Sequence, residues 1–277
     1  MLNKLSSEAP LVSVGIPTYN RPDLLELAIK KILSQTWSNI EVVISDNASS
    51  DPRVAEVITR YTAVDDRIRA FRQRSNIGAL KNFLFLLEEA RGEFFMWAAD
   101  DDDWDVDFIE FAIANIGSAG LLMGDFNTVF HARDQVIHTK LPKLDPERPV
   151  LENLIRFNAN MQPTLIYGLH RTKSLRASIP AGSFFFWDCA VVYSIMLNYG
   201  IRTVEGSRYR AGVHSSEYEI KQIDPKVRQL TYWPFLSQLL KDTFKCPRLS
   251  MSDKIFAALS VVNLVRKLKA HHTKQAK

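Results

Sequence analysis

The sequence predicts an α/β fold with a mostly parallel sheet covered by helices on both faces. Three observations carry that expectation. Short apolar runs recur through the first half of the chain, helical patterns separate them, and a polar, turn-forming stretch follows each run. Strands joined by helical crossovers lie parallel, and their residues are apolar throughout because both faces of the sheet are covered.

The elements follow in order. Leu11 to Ile16 reads as a strand stopped by Pro17. Pro22 opens a helix whose apolar positions Leu24, Leu25, Ala28, Ile29 and Ile32 recur at spacings of three and four. Ile40 to Ser45 is a second strand, followed by a turn-rich stretch from Asp46 to Pro52. A helix with Val54, Val57, Ile58 and Tyr61 on one face precedes a short strand, Ile68 to Phe71. Gly78 to Ala90 is helical, and Phe94 to Ala98 is the fourth strand. In such sheets ligands bind beyond the carboxyl ends of the strands, so the polar residues after each strand are the ones to inspect.

The second half is less regular. Leu121 to Phe130 and Gln135 to Lys140 form a strand pair, Leu151 to Phe157 a helix, and Thr164 to Leu169 a strand. A helix from Asp188 to Asn198 is capped by Gly200, and Ile201 to Val204 is a late strand. From Lys221 onward amphipathic helices take over. The expected organisation is one domain over residues 1–220, with a nucleotide-binding half at 11–107 and an acceptor half at 108–220, then a helical extension over 221–277.

The chain has 277 residues, 46% hydrophobic and 24% charged, with a net charge of +4. This is the composition of a folded globular protein. The mild charge, with its basic residues dispersed, argues against nucleic-acid binding. Two cysteines, Cys189 and Cys246, give no disulfide framework or cysteine zinc site. The polar start and the lack of a run of about 18 apolar residues place the protein in the cytoplasm.

The strongest chemical signal follows the fourth strand. Seven of the eleven residues from Asp100 to Glu110 are acidic, four of them consecutive. Adjacent carboxylates repel, and a divalent cation relieves the repulsion; hard oxygen ligands suit Mg²⁺ or Mn²⁺, which also hold substrate phosphates. A solvated acidic turn capping the next helix is the plainer explanation of the same residues. After the first strand stands Pro17-Thr18-Tyr19-Asn20-Arg21-Pro22, after the second Ser45-Asp46-Asn47, and before the third helix Arg74-Ser75-Asn76-Ile77-Gly78. Each alone has an ordinary turn or cap explanation.

Their joint order is more specific. The strings VSVGIPTYNRPDLLELAIKKILSQTW, IEVVISDNASSD, RSNIGALKNF and GEFFMWAADDDDW resemble the family 2 glycosyltransferases, which have the GT-A fold. The resemblance spans residues 11–215 and is strongest over 11–107. It implies that Thr18, Tyr19 and Asn20 hold the nucleoside, that Asp46 recognises the base, and that Arg74 and Asn76 close over the nucleotide. Asp100 and Asp102 match the Asp-x-Asp element, and the run of four leaves the register open to Asp101 and Asp103. Asp100 and Asp101 are assigned to the donor, Asp102 and His214 to the metal, Mn²⁺ or Mg²⁺. Asp188, after Phe184-Phe185-Phe186-Trp187, matches the family's catalytic base, although Trp187 stands where a Glu is common. His214 belongs to a late Tyr-Arg…His-x-Ser segment.

The resemblance further implies inverting transfer from a UDP-sugar to a glycan or lipid-linked acceptor in surface-polysaccharide synthesis. A sugar nucleotidyltransferase would share the sheet and the metal, but needs a glycine-rich phosphate loop where PTYNRPD stands. A non-catalytic nucleotide-sugar-binding protein would not need the aspartate cluster or Asp188. In the C-terminal segment, Ile255, Ala258, Leu259, Val262, Val265 and Leu268 fall near one face of a helix, and the tail is basic through Arg266, Lys267, Lys269, Lys274 and Lys277. Such a helix either lies on an anionic membrane or packs on protein.

Overall fold

The computed structural model describes residues 9–275 apart from 183, 185 and 214–224. In chain order the elements of the first half are β1 (Val12–Thr18), α1 (Pro22–Leu33), β2 (Ile40–Asp46), α2 (Pro52–Thr62), β3 (Ile68–Arg72), α3 (Ala79–Glu89), β4 (Phe94–Trp97), β5 (Asp103–Trp104) and α4 (Phe108–Ile116). There follow β6 (Leu121–Phe130), β7 (Gln135–Thr139), α5 (Val150–Ala159), β8 (Leu169–Arg171), α6 (Thr172–Ser178), α7 (Trp187–Tyr199), β9 (Ile201–Val213), α8 (Pro225–Lys245) and α9 (Met251–Gln275). The chain divides into two compact units, Met1–Ala114 with Leu169–Lys173, and Asn115–Gly168 with Ser174–Lys277.

In the first unit β3, β2, β1 and β4 lie parallel in that order, and β8 pairs antiparallel with β4. Every residue of β1, β2 and β4 is buried, which is why those strands read as mostly apolar runs, and the buried polar Ser13 of β1 is bonded to Glu41 of β2. α1 begins at Pro22 and buries Leu25, Ala28, Ile29 and Ile32, the predicted face. The Asp51 carboxylate caps α2 by accepting from the Arg53 N–H. Gly92 enters β4 where a Cβ would lie 2.7 Å from the Leu11 carbonyl oxygen, so no side chain fits.

In the second unit β6 pairs antiparallel with β7 and parallel with β9. α7 is its central helix, buried without a break from Cys189 to Leu197. A helix apolar all round belongs inside a core, not at its surface. Gly200 ends α7 at φ 74°, as its place after the apolar run predicts.

Three expectations need correction. The strand expected at Thr164 to Leu169 is a 3₁₀ turn, Pro163–Tyr167, followed by β8. Pro163 has no N–H to give a strand ladder and opens the turn instead. The late strand expected at Ile201 to Val204 runs on to Val213, because a bulge opposite Gly124 to Phe126 shifts the register and hides the continuation in a polar sequence. In α9 the buried stripe is Ala257, Val261, Leu264 and Val265, whereas Ile255 and Leu259 are exposed. The apolar face drawn from Ile255 to Leu268 is therefore split between packing and solvent.

Candidate functional site

Register builds the site. Thr18 of β1 pairs with Asp46 of β2, and Asp46 pairs with Arg72 of β3, so the three form one row at the carboxyl edge of the sheet. Gly15 pairs with Trp97 of β4. Asp100, three residues past Trp97, then comes beside Thr18, whose hydroxyl donates to its Oδ2 at 3.1 Å.

The four aspartates do not stand together as one bare cluster. Asp100 and Asp102 are buried, and Arg21 Nη1 contacts Asp100 Oδ1 at 3.0 Å and Asp101 Oδ2 at 3.1 Å. Lys31 Nζ lies 2.7 Å from Asp103 Oδ1. The chain's own cations thus relieve part of the repulsion for which a metal alone was expected. Burial pushes the Asp100 carboxyl up to about 6, against the pull of Arg21 and the Thr18 hydroxyl.

The loop itself is fixed from α1. Gln35 Nε2 donates to the Asp105 carbonyl at 2.8 Å, and its Oε1 accepts from Ile109 N–H at 3.1 Å in the first turn of α4. Thr36 N–H donates to the Val106 carbonyl at 2.8 Å.

The loops after β1 and β2 hold each other. Asn20 Oδ1 accepts from the backbone N–H groups of Ser50 and Asp51 at 2.7 and 3.1 Å, and Asn20 N–H donates to Ser49 Oγ at 2.8 Å. Asn20 and Ala48 both have positive φ, 54° and 62°, a conformation costly for Ala and sustained by this bonding. Asp46 is almost fully buried and doubly engaged: Oδ1 accepts from Ser49 N–H at 2.9 Å and Oδ2 from Arg72 at 2.7 Å.

Asn76 Oδ1 accepts from Asn47 Nδ2 and Gly78 N–H, tying the β3–α3 loop to the β2–α2 loop. Tyr19 and Arg74 stand exposed at the same edge.

The structure therefore brings Thr18, Tyr19, Asn20, Asp46, Asn76, Asp100, Asp101 and Asp102 together in the first unit. Arg21 and Arg72 join them and were not assigned from sequence. Arg21 was visible in PTYNRPD, and Arg72 ends a strand, where the position of ligand sites in parallel sheets directs attention.

Asp188 belongs to the second unit, in the first turn of α7. It is half-buried, burial raises its pKa, and the Cys189 N–H, 2.8 Å from Oδ1, pulls the other way. The preceding Phe186 has φ 61°, strained for an aromatic residue, and its ring packs 6.0 Å from that of Tyr232 and 5.4 Å from that of Phe235. His214 lies outside the described residues.

Among the described residues no three His, Cys, Asp or Glu side chains gather as a self-sufficient metal cage. Mg²⁺ and Mn²⁺ at phosphate sites need only one or two carboxylates, with substrate oxygens and water completing the shell. Buried Asp100 and Asp102, hard oxygen donors at the strand ends, fit a metal of that kind.

Comparison with known proteins agrees with this architecture. The profile of "Glycosyl transferase family 2" matches residues 13–174. A Campylobacter jejuni GalNAc(5)-diNAcBac-PP-undecaprenol beta-1,3-glucosyltransferase is 40% identical over 95 residues, 34% of this chain and 30% of that protein. The Escherichia coli putative colanic acid biosynthesis glycosyl transferase WcaA is 38% identical over 99 residues, 34% of each chain. The match thus spans about a third of these relatives.

Among solved structures, S. aureus TarS in complex with UDP-GlcNAc superposes with a TM-score of 0.71 at 18% identity, over 91% of this chain and 72% of the other. The Pyrobaculum calidifontis mannosyltransferase PcManGT, in complex with GDP-Man and Mn²⁺, gives 0.54 at 16% identity, over 98% and 81%. These likenesses establish the fold. With a family profile covering more than half its length, the chain belongs to glycosyl transferase family 2.

Proposed function

We propose that this protein transfers a sugar from a nucleotide-diphosphate sugar to an acceptor hydroxyl with inversion at the anomeric carbon. The observation that carries the reading is the row of Thr18, Asp46 and Arg72 with Asp100 beside it, at the carboxyl edge of parallel strands. Thr18, Tyr19 and Asn20 line the loop for the nucleoside, and Asp46, held on both oxygens by Arg72 and Ser49, serves the base by fixing the loop that faces it. Arg74 and Asn76 close the nucleotide side, and Asp100 and Asp101 face the donor. The neighbour that holds UDP-GlcNAc favours a UDP-sugar here.

Asp102, with Asp100, would hold Mn²⁺ or Mg²⁺, and His214 is a further ligand in this reading. A metal bound there supplies Lewis-acid stabilisation to the departing diphosphate. Asp188 accepts the acceptor hydroxyl's proton as that oxygen attacks the anomeric carbon. Its desolvation makes it a stronger base than an exposed aspartate. The acceptor is a glycan or a lipid-linked glycan of surface-polysaccharide synthesis, met at the cytoplasmic face of a membrane. The lipid-linked glycan in the name of the Campylobacter relative supports that choice.

Calorimetric titration with a panel of nucleotide sugars, with Mn²⁺ and with chelator, tests the donor half. One UDP-sugar binds with metal, and Asp102→Ala weakens it about tenfold or more. Equal affinity with chelator, or no binding by any donor, contradicts the reading.

A further inference from the structure

The corner between α8 and α9 presents a surface that the transfer chemistry does not use. Met251, Ile255 and Leu259 lie four residues apart on one face of α9, with Phe256 beside them, and all four are more than half exposed. The opposite face, Ala257, Val261, Leu264 and Val265, packs inward, and Asn158 Nδ2 of α5 donates to Ser260 Oγ at 3.0 Å. The exposed stripe is therefore left over after α9 has docked.

On α8, Phe244 and Trp233 are 47% and 70% exposed. Eleven residues separate them, close to three helical turns, so they share a face. Phe244 and Met251 flank the short turn that joins the two helices.

Charge around this apolar corner is mostly basic. Lys241, Lys245, Arg248, Arg266 and Lys267 are exposed, and Lys254 is half-buried. Residues 241–277 contain nine Lys and Arg against Asp242 and Asp253, a net +7, while residues 1–240 contain 26 basic and 29 acidic residues, a net −3. The net positive charge of the chain thus lies in the segment that carries this exposed apolar stripe.

We infer that the α8–α9 corner docks on the surface of an anionic lipid bilayer. Aromatic and aliphatic side chains flanked by Lys and Arg enter the boundary between headgroups and acyl chains, while the basic groups meet lipid phosphates. Among the described residues no helix is long and apolar enough to cross a membrane, so the contact lies on the surface. A second copy of the chain fits less well, because a twofold pairing would set two faces of like charge against each other. The inference deepens the proposed function by naming where the chain meets the membrane that carries a lipid-linked acceptor, and it rests on that reading only for the acceptor.

The test is co-sedimentation of the full chain with vesicles of phosphatidylcholine alone and with vesicles that also contain phosphatidylglycerol. Wild type partitions onto the anionic vesicles about tenfold more than onto the neutral ones, and salt weakens the binding. Phe256→Ser with Leu259→Ser lowers partitioning about tenfold or more, and so does Lys241→Ala with Lys245→Ala. Both variants keep the wild-type melting transition and vesicle-free donor hydrolysis, because the changed side chains are exposed.

Wild type left in the supernatant, equal binding to both vesicles, or undiminished binding by the variants overturns the inference. A wild-type dimer that Phe256→Ser with Leu259→Ser dissociates, without vesicle binding, assigns the corner to a second copy instead. Vesicle binding by a chain that binds no nucleotide sugar leaves this inference standing and removes the transfer reading alone.

Discussion

At Asp100, burial and charge act in opposite directions on one carboxyl group. Desolvation raises its pKa from 3.8 to about 6 although Arg21 lies 3.0 Å away. Between those two values the native state binds more protons than the unfolded chain, so stability falls as pH rises through that window. The contribution is fully present below about 4 and lost above about 6, amounting to roughly 3 kcal/mol. Asp100→Asn removes the titration while keeping an acceptor for Thr18. Urea unfolding at a series of pH values checks this: the variant gains on wild type between pH 4 and 7, and an unchanged slope in the variant contradicts it.

The same scale shows what sequence could reveal. Thr18, Asp46 and Asp100 were legible because each follows a strand in a patterned string. The roles of Arg21 and Arg72 were not, because an arginine spans several residues' worth of distance and its partner is chosen by the fold. Asp46 illustrates the consequence: a residue expected to read a base is held on both oxygens by Arg72 and Ser49.

At the scale of elements, α1 does more than cover the sheet. Lys31 in its last turn, with Gln35 and Thr36 just past its end, reaches the acidic loop, and Gln35 joins that loop to the start of α4. Gln35→Ala leaves the Ile109 N–H and the Asp105 carbonyl without this partner in a largely buried place, at a cost of about 1–3 kcal/mol. Denaturant unfolding reads that loss, and a variant as stable as wild type would show that water replaces the side chain without penalty.

Elements of the first half were legible because a strand buried on both faces and an amphipathic crossover helix each leave a periodic trace. The second half hides its pattern for specific reasons. β9 carries a bulge and polar residues, and Pro163 turns an apolar run into a 3₁₀ turn. Phe186, ahead of the candidate base, adopts a backbone conformation that no sequence rule assigns to an aromatic residue. Aromatic packing on α8 holds it there.

For the molecule as a whole, the division of labour is chemical. The first unit carries the aspartates and the loops that face the strand ends, and the second carries Asp188 and the basic, apolar corner of α8 and α9. A net charge of +4 conceals this division, because an acidic majority over residues 1–240 offsets a basic end. Family membership fixes the class of fold.

The central claim, that Asp188 takes the acceptor's proton during transfer from a bound nucleotide sugar, is tested most directly by turnover with the donor that binds. In Mn²⁺, Asp188→Asn lowers kcat by about 10²–10⁴ and leaves donor affinity unchanged. Wild-type turnover in that variant, or loss of donor binding together with turnover, would contradict the account.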